Sequence, residues 1–272
     1  MIFEQLPPET LTEQLQIRRE ELNQLLTSKL KALNRAPKGH LRIAQARGGR
    51  KHQYYQITSR GDTKGTYLPH TQLPLIQRLA QKQYDESLIK ILSRQVAAID
   101  QLLAASGSKI TDLYKNMCQA RRLLITPVTL PDDQYVERWK AAEWQGLPFA
   151  EDAPEYFTAN NVKVRSKSEI LIADTLGRFN VPYLYEYPLE LKDGRTFHPD
   201  FLCLNVRTRR EYIWEHFGLL DDPAYASRAA AKLLLFSENK IFLGKNLIIT
   251  TETAAVKFSS RQVEDFIKEF LL

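Results

Sequence analysis

Cysteine is close to absent: Cys118 and Cys203 are the two in 272 residues, far apart and without the spacing of a metal-ligand pair. That excludes a disulfide framework and a zinc-finger scaffold, and points to two reduced thiols in a cytoplasmic protein. Long apolar runs are missing as well. None approaches the ~20 residues that a membrane span requires, so no membrane partner is expected. Met1 to Pro8 holds no basic residue and does not read as a signal peptide. There is no internal repeat and no low-complexity segment, which removes solenoid and disordered-array architectures. Acidic excess is also lacking, since 38 Lys and Arg stand against 32 Asp and Glu for a net charge of +6.

What is present is an ordinary globular composition. Hydrophobic residues make up 43%, enough for a core, and the length suits one large or two modest domains. The positive charge is concentrated. Between Arg35 and Gly65 eight basic residues (Arg35, Lys38, Arg42, Arg47, Arg50, Lys51, Arg60 and Lys64) meet one acid, Asp62, a local net of +7 that leaves the remainder near −1. Such a patch suits a polyanionic partner.

Periodicity divides the chain. Residues 10–33 predict a helix with Leu11, Leu15, Leu22, Leu25, Leu26, Leu30 and Leu33 in one stripe. Strand-like alternation follows at 40–46 and 52–58 about the turn at 47–51, with a third short strand near 66–68. A second long helix opens near Pro74 and carries Leu88, Leu92, Val96, Ile99 and Leu103 in a coiled-coil-like seam. A further helix is expected over 109–124, then a connector rich in Pro and aromatics. From Arg165 the pattern turns to mixed helix and strand, in the order α-β-β-β-α-β-α. The expected layout is a helical arm with a basic β-hairpin tip (1–125), a connector packed on the second domain (126–161) and an α/β or α+β domain (162–272).

Two acids in that last domain carry a chemical signal. Asp200 follows Pro199 in one predicted strand, and Glu215 lies near the end of the next, across a turn at 205–210 that sets them side by side. Both sit in apolar runs, where a lone carboxylate is costly unless it is paired or bound to a metal. Magnesium takes hard oxygen ligands of this kind, and phosphodiester hydrolysis needs such an ion to sharpen water and neutralise charge.

Ser168-Glu169 on a helix, Pro199-Asp200 in a strand and a glutamate closing the following strand, in that order, resemble the PD-(D/E)XK nuclease superfamily, with its restriction-endonuclease-like core. The runs 164–169, 198–201 and Trp214-Glu215-His216-Phe217-Gly218, with Asp222-Pro223-Ala224-Tyr225 and Lys232 downstream, are similar to one lineage of it, sometimes fused to superfamily-one helicases. The resemblance covers about Val162 to Thr251. It implies hydrolysis of DNA with Mg2+ (or Mn2+), with RNA left open as substrate, and a helicase-like protein as partner; a homodimer would follow instead from reading the long helices as a dimerisation coiled coil, with the basic hairpin incidental. It implies Asp200 and Glu215 as metal ligands, with Glu169 completing the set. One departure stands out: the family's lysine two residues after the last acid is here Phe217. Lys232, on the next helix with Tyr225 and Arg228 at spacings of three and four, is the expected substitute.

Competing readings remain at several positions. Ser166-x-x-Glu169 also fits a capping box, which would occupy the glutamate. His216 reads either as a proton shuttle or as a hydrogen-bonded core histidine, since strand alternation turns it away from Glu215. Glu186 reads as a strand-edge charge or as a further acid of the pocket. Phe217 favours a catalytically silent fold acting as a binding or assembly module. Nucleic-acid contacts are expected from Arg42, Arg47, Arg50, Lys51 and Arg60, with Tyr54 or Tyr55 stacking on a base, and from Arg165 and Lys167.

Overall fold

The structure, a computed structural model, describes residues 4–45, 52–59, 61–106 and 110–272. It divides into two compact units: one is Thr10–Lys109, and the other joins Met1–Glu9 to Ile110–Leu272. The break therefore falls at residue 109, not near 125, and the N-terminal residues belong with the C-terminal unit.

In the first unit α1 (Thr12–Asn34) and α2 (Leu73–Ser106) run antiparallel, joined by ion pairs from Lys29 to Asp85 (2.9 Å) and from Arg19 to Asp100 (3.3 Å). The apolar stripe of α1 proves wider than its buried face. Leu22 is buried, whereas Leu11, Leu25 and Leu30 are exposed, because α2 offers a single facing surface. Between the helices β1 (His40–Gln45), β2 (His52–Ile57) and β3 (Thr66–Leu68) form an antiparallel sheet in that order. Leu41 and Leu68 pack with Tyr54 on Ile76 and Leu79 of α2. Beyond the C-terminus of α1, Arg78 donates to the carbonyl of Arg35, and Lys82 to those of Pro37 and Gly39. Gly39 adopts φ 82°, and a Cβ there would lie 2.1 Å from the Ile57 carbonyl oxygen, so only glycine fits.

The second unit begins with α3 (Ile110–Lys115) and α4 (Gln119–Arg122), two short pieces where one helix is expected. The segment read as an aperiodic connector contains α5 (Asp132–Lys140). Pro131 precedes it, Asp132 and Asp133 occupy its first turn and Arg138 and Lys140 its last, so its termini complement the helix dipole. After β4 (Tyr156–Phe157) and β5 (Lys163–Val164) come α6 (Lys167–Arg178), β6 (Tyr183–Tyr185), β7 (Leu189–Glu190), β8 (Thr196–Phe197), β9 (Phe201–Asn205), β10 (Arg210–Phe217), α7 (Pro223–Glu238), β11 (Leu247–Thr251) and α8 (Ser260–Phe270).

The main sheet has the order β11-β10-β9-β6, parallel between β10 and β11 and antiparallel elsewhere. The stretches 183–191 and 196–205 each hold two separate strands. Glu186, at φ 50°, ends β6, and β7 pairs with β8 as a separate ribbon. Alternation gives the sheet two covered faces. On one, Phe201, Cys203 and Trp214 meet Ile172, Ala173 and Leu176 of α6 and Val263 and Ile267 of α8. On the other, Leu202, Leu204 and Ile213 meet Trp139 of α5 and Phe236 of α7.

The N-terminal residues are stitched to this unit. Gln5 and Leu6 donate backbone N–H groups to the Val128 carbonyl (3.0 and 3.1 Å). The Glu4 carboxylate accepts from Leu130 N–H (2.6 Å) and faces Arg209 (3.4 Å), both side chains being buried. No helix among the described residues is long and apolar enough to cross a membrane.

Candidate active site

Asp200 precedes β9 by one residue. The β9/β10 register, which pairs Trp214 with Phe201, continues to set it opposite Glu215. Its carboxylate accepts the His216 backbone N–H at 2.7 Å, which fixes it across the hairpin. Glu215 is 1% exposed, on the face covered by α7. There Lys232 Nζ reaches Glu215 Oε2 at 2.6 Å. Lys232 is held from behind, with its ammonium 4.8 Å from the ring centroid of Phe197 and 6.0 Å from that of Phe236. Glu215 Oε1 is buried without a hydrogen-bond partner among the described residues.

The electrostatics follow from this crowding. Burial pushes Asp200 up to about 6, against the pull of Lys232 and of the His216 N–H. Burial, and then the charge of Asp200, push Glu215 up to about 8 despite its ion pair with Lys232. Two desolvated carboxylates share one lysine and cannot both ionise cheaply. Tyr225, in the first turn of α7, belongs to the same field. Burial and the charges of Asp200 and Glu215 raise its hydroxyl, while Lys232 opposes them. Arg228 lies over the Tyr225 ring at 5.7 Å. Phe217, two residues after Glu215 on the same strand face, is buried and gives that wall an apolar surface.

Glu169 is engaged at the start of α6. Its carboxylate accepts from Arg165 N–H (2.9 Å), Tyr185 Oη (2.7 Å) and Ser166 Oγ (2.9 Å), while Ser166 Oγ accepts from the Glu169 N–H (3.2 Å). The carboxylate thus returns to Arg165 N–H, one residue before the N-cap. Among the described residues no three His, Cys, Asp or Glu side chains form a group able to hold a metal ion. Asp200 and Glu215 come together; Glu169 is not joined to them as a third ligand.

His216 lies on the opposite sheet face. Its Nδ1 is 3.0 Å from Thr250 Oγ1, its ring lies tilted against Phe258 with centroids 4.6 Å apart, and burial lowers its basicity. It is a packed histidine, 3.8 Å from Glu252 and removed from the acid pair. Arg165, expected to touch nucleic acid, has its fork occupied by Glu186. Nε is 2.5 Å from Oε1 and Nη2 3.1 Å from Oε2, with Nη2 also donating to the Leu147 carbonyl and the guanidinium over Phe149. The buried Glu186 needs that counter-charge, and the pair pins the connector to the sheet. Lys167 is exposed on the first turn of α6. Sequence reasoning missed Phe197, the aromatic surface that aims Lys232; no spacing signal connects the two.

In the first unit Arg42 is half-buried over the Tyr55 ring, and its Nη2 donates to the Lys64 carbonyl at 2.8 Å. Arg47, Arg50, Lys51 and Arg60 lie outside the described residues. A cavity of about 820 Å3, lined by Asp132, Val136, Lys140, Trp144 and Tyr183, opens beside the β6 edge, and neither Asp200 nor Glu215 lines it.

No family profile and no solved structure matches the chain. An uncharacterized protein of Methanocaldococcus jannaschii is 36% identical over 83 residues, which are 30% of this chain and 7% of that protein. The likeness therefore spans a small part of that relative and brings no activity with it.

Proposed function

We propose that the protein is a divalent-metal-dependent nuclease. In this reading the C-terminal unit is a PD-(D/E)XK-type, restriction-endonuclease-like domain, and the helical unit is an arm that grips nucleic acid. The observation that carries it is the cross-strand pair of carboxylates, half-buried Asp200 and buried Glu215, with Glu215 Oε1 buried and without a hydrogen-bond partner among the described residues. The element order α6-β6-β9-β10-α7-β11 and the motif resemblance agree with it.

The donor set fits a hard cation. Two carboxylates that repel each other, with an unused buried oxygen, are the kind of protein contribution that Mg2+ takes, the remaining positions going to water and substrate oxygens. Asp200 and Glu215 would hold the ion, Mn2+ being the alternative metal. Such an ion, when bound, neutralises phosphate charge and lowers the pKa of its water. The chain does the rest. The His216 N–H orients Asp200. The rings of Phe197 and Phe236 direct the Lys232 ammonium at Glu215 and, with substrate present, toward a phosphate oxygen. The Tyr225 hydroxyl and the Arg228 guanidinium continue that donor face along α7. Glu169 acts through the α6 start and Tyr185, not as a ligand.

Cleavage of labelled DNA and RNA with Mg2+, with Mn2+ and with excess chelator tests this reading. Cleavage that needs the ion and disappears in Asp200→Ala supports it; chelator-resistant cleavage sinks it. The rival, a silent domain of the same fold used for binding or assembly, is favoured by Phe217. Metal-independent binding with no cleavage under any ion would select it.

A further inference from the structure

The three-stranded sheet of the arm has one face on α2 and one turned away from it. Alternation assigns Leu41, Tyr54 and Leu68 to the first face, where they pack on Ile76 and Leu79. On the second, the register sets Arg42, Tyr55 and Tyr67 abreast, one from each strand. The three form a continuous row. The Arg42 guanidinium lies 4.5 Å from the Tyr55 centroid, and Tyr55 meets Tyr67 edge-on at 5.6 Å. The row is held rigid, Arg42 by its bond to the Lys64 carbonyl and Tyr55 by its hydroxyl on Gln53 Oε1 (3.0 Å). Tyr67 remains 52% exposed, and His40, also exposed, shares the face.

We propose that this face is a stacking platform for the unpaired bases of a single-stranded nucleic acid, so that the arm takes a single strand, or a duplex that bears one, and not a closed duplex. The argument is one of complementary chemistry. The segment around the sheet carries a net +7, which suits a phosphate backbone. Its one acid, Asp62, is turned into its own loop, accepting from the N–H groups of Lys64 (3.1 Å) and Gly65 (2.8 Å). A phosphate grip alone needs no exposed ring. The exposed Tyr67 ring, edge-on to Tyr55 and in one row with Arg42, offers a π-surface that only unstacked bases can use, since in a closed duplex each base face is already covered. Tyr54 is excluded from this role by its place against α2. The inference rests on the arm's binding of nucleic acid and is independent of whether the other unit cuts.

The test uses the full chain in chelator, with fluorescence anisotropy of a labelled thymidine homopolymer and of a blunt-ended, two-strand duplex of the same length. Wild type is expected to bind the single strand more tightly and to lose tyrosine fluorescence on binding. Tyr67→Ala should weaken single-strand binding roughly 5- to 150-fold, leave the weaker duplex binding unchanged and be rescued by Tyr67→Phe. Unchanged single-strand affinity in Tyr67→Ala overturns the platform, as does an equal loss on both substrates or no binding to either. Failure of the catalytic reading is seen separately, in whether Asp200→Ala abolishes ion-dependent cleavage.

Discussion

Each unit of the protein buries a carboxylate beside a lysine, and the two acids respond in opposite directions. In the arm, Asp85 takes donors from Lys29 (2.9 Å) and Gln81 (2.8 Å), and these outweigh burial and hold its pKa below the ordinary value. In the other unit, Glu215 has an even shorter contact to Lys232, 2.6 Å, yet its pKa is raised. Desolvation has the same sign in both. For Glu215 burial is the largest push and the charge of a second acid, Asp200, adds to it, so Lys232 is outweighed, and one of its oxygens has no donor among the described residues. A buried acid–lysine pair on its own is therefore a device for fixing helix register. A pair with a surplus carboxylate is a site waiting for more positive charge.

The largest effect should come from removing that surplus. Asp200→Ala or Glu215→Ala is expected to lower cleavage at least about a hundredfold with the circular dichroism spectrum unchanged. Asp85→Asn should leave turnover at saturating substrate untouched. Cleavage assays on the three variants would break the contrast if Asp85→Asn proved equally damaging.

Taking away each lysine sharpens it. Lys29→Met strands an ionised acid in the helical hairpin and is expected to cost about 3 kcal/mol in denaturant unfolding of the arm, the low end for a broken buried pair because Lys29 is partly exposed. Lys232→Met should cost less, since Glu215 already holds its proton near neutral pH, but it should remove most of the turnover. Equal stability losses would erase the distinction.

The pH dependence should separate the two regions next. Asp200 and Glu215 have folded pKa values of about 6 and about 8, above the ordinary carboxylate range, so the folded state binds more protons than the unfolded one. Their contribution is complete below pH ~4 and is lost as pH rises toward ~8, every tenfold difference in proton affinity between the two states corresponding to about 1.4 kcal/mol. In metal-free protein the melting temperature of Asp200→Asn should thus gain on wild type as pH rises, and Mg2+ should shrink that gain. Asp85, with its lowered pKa, runs the other way: its contribution is present above the ordinary carboxylate value and is lost on acidification.

The smallest effect is expected at Glu169. Glu169→Gln keeps most of its acceptor role and should cost about 1 kcal/mol of stability, with cleavage reduced by no more than a few-fold. Lost cleavage at an unchanged melting temperature would make Glu169 a ligand after all.

Much of this was legible in the sequence because it depends on short-range periodicity. Period two along 201–205 and 210–217, with a turn between, is enough to align Asp200 with Glu215 and to turn His216 away. Spacings of three and four on α7 are enough to put Tyr225, Arg228 and Lys232 on one side. What was not legible depends on partners distant in the chain. The bend at Glu186 is held by Arg165, 21 residues earlier, whose charge in isolation looked available to nucleic acid. Tyr54 and Tyr55 are neighbours in sequence, and only the cross-strand register with Tyr67 tells the packed ring from the presented one. The helix 132–140 carried its dipole signature openly, but the surrounding prolines and aromatics obscured it.

The stitching of residues 4–6 to Val128, Leu130 and Arg209 makes the arm an insertion: the chain leaves the mixed helix-and-sheet unit after residue 9 and re-enters it at 110. During synthesis, then, Glu4 is made well before Arg209, the partner that its carboxylate faces. Arg209 follows Glu4 by 205 positions, on the order of 10 to 40 seconds of translation at about 5–20 residues per second. Over that interval the arm, a compact unit over Thr10–Lys109, can fold on its own, while residues 4–6 wait for their partners. An N-terminal fusion that hinders this late docking would disturb the unit that holds Asp200 and Glu215 while sparing the arm.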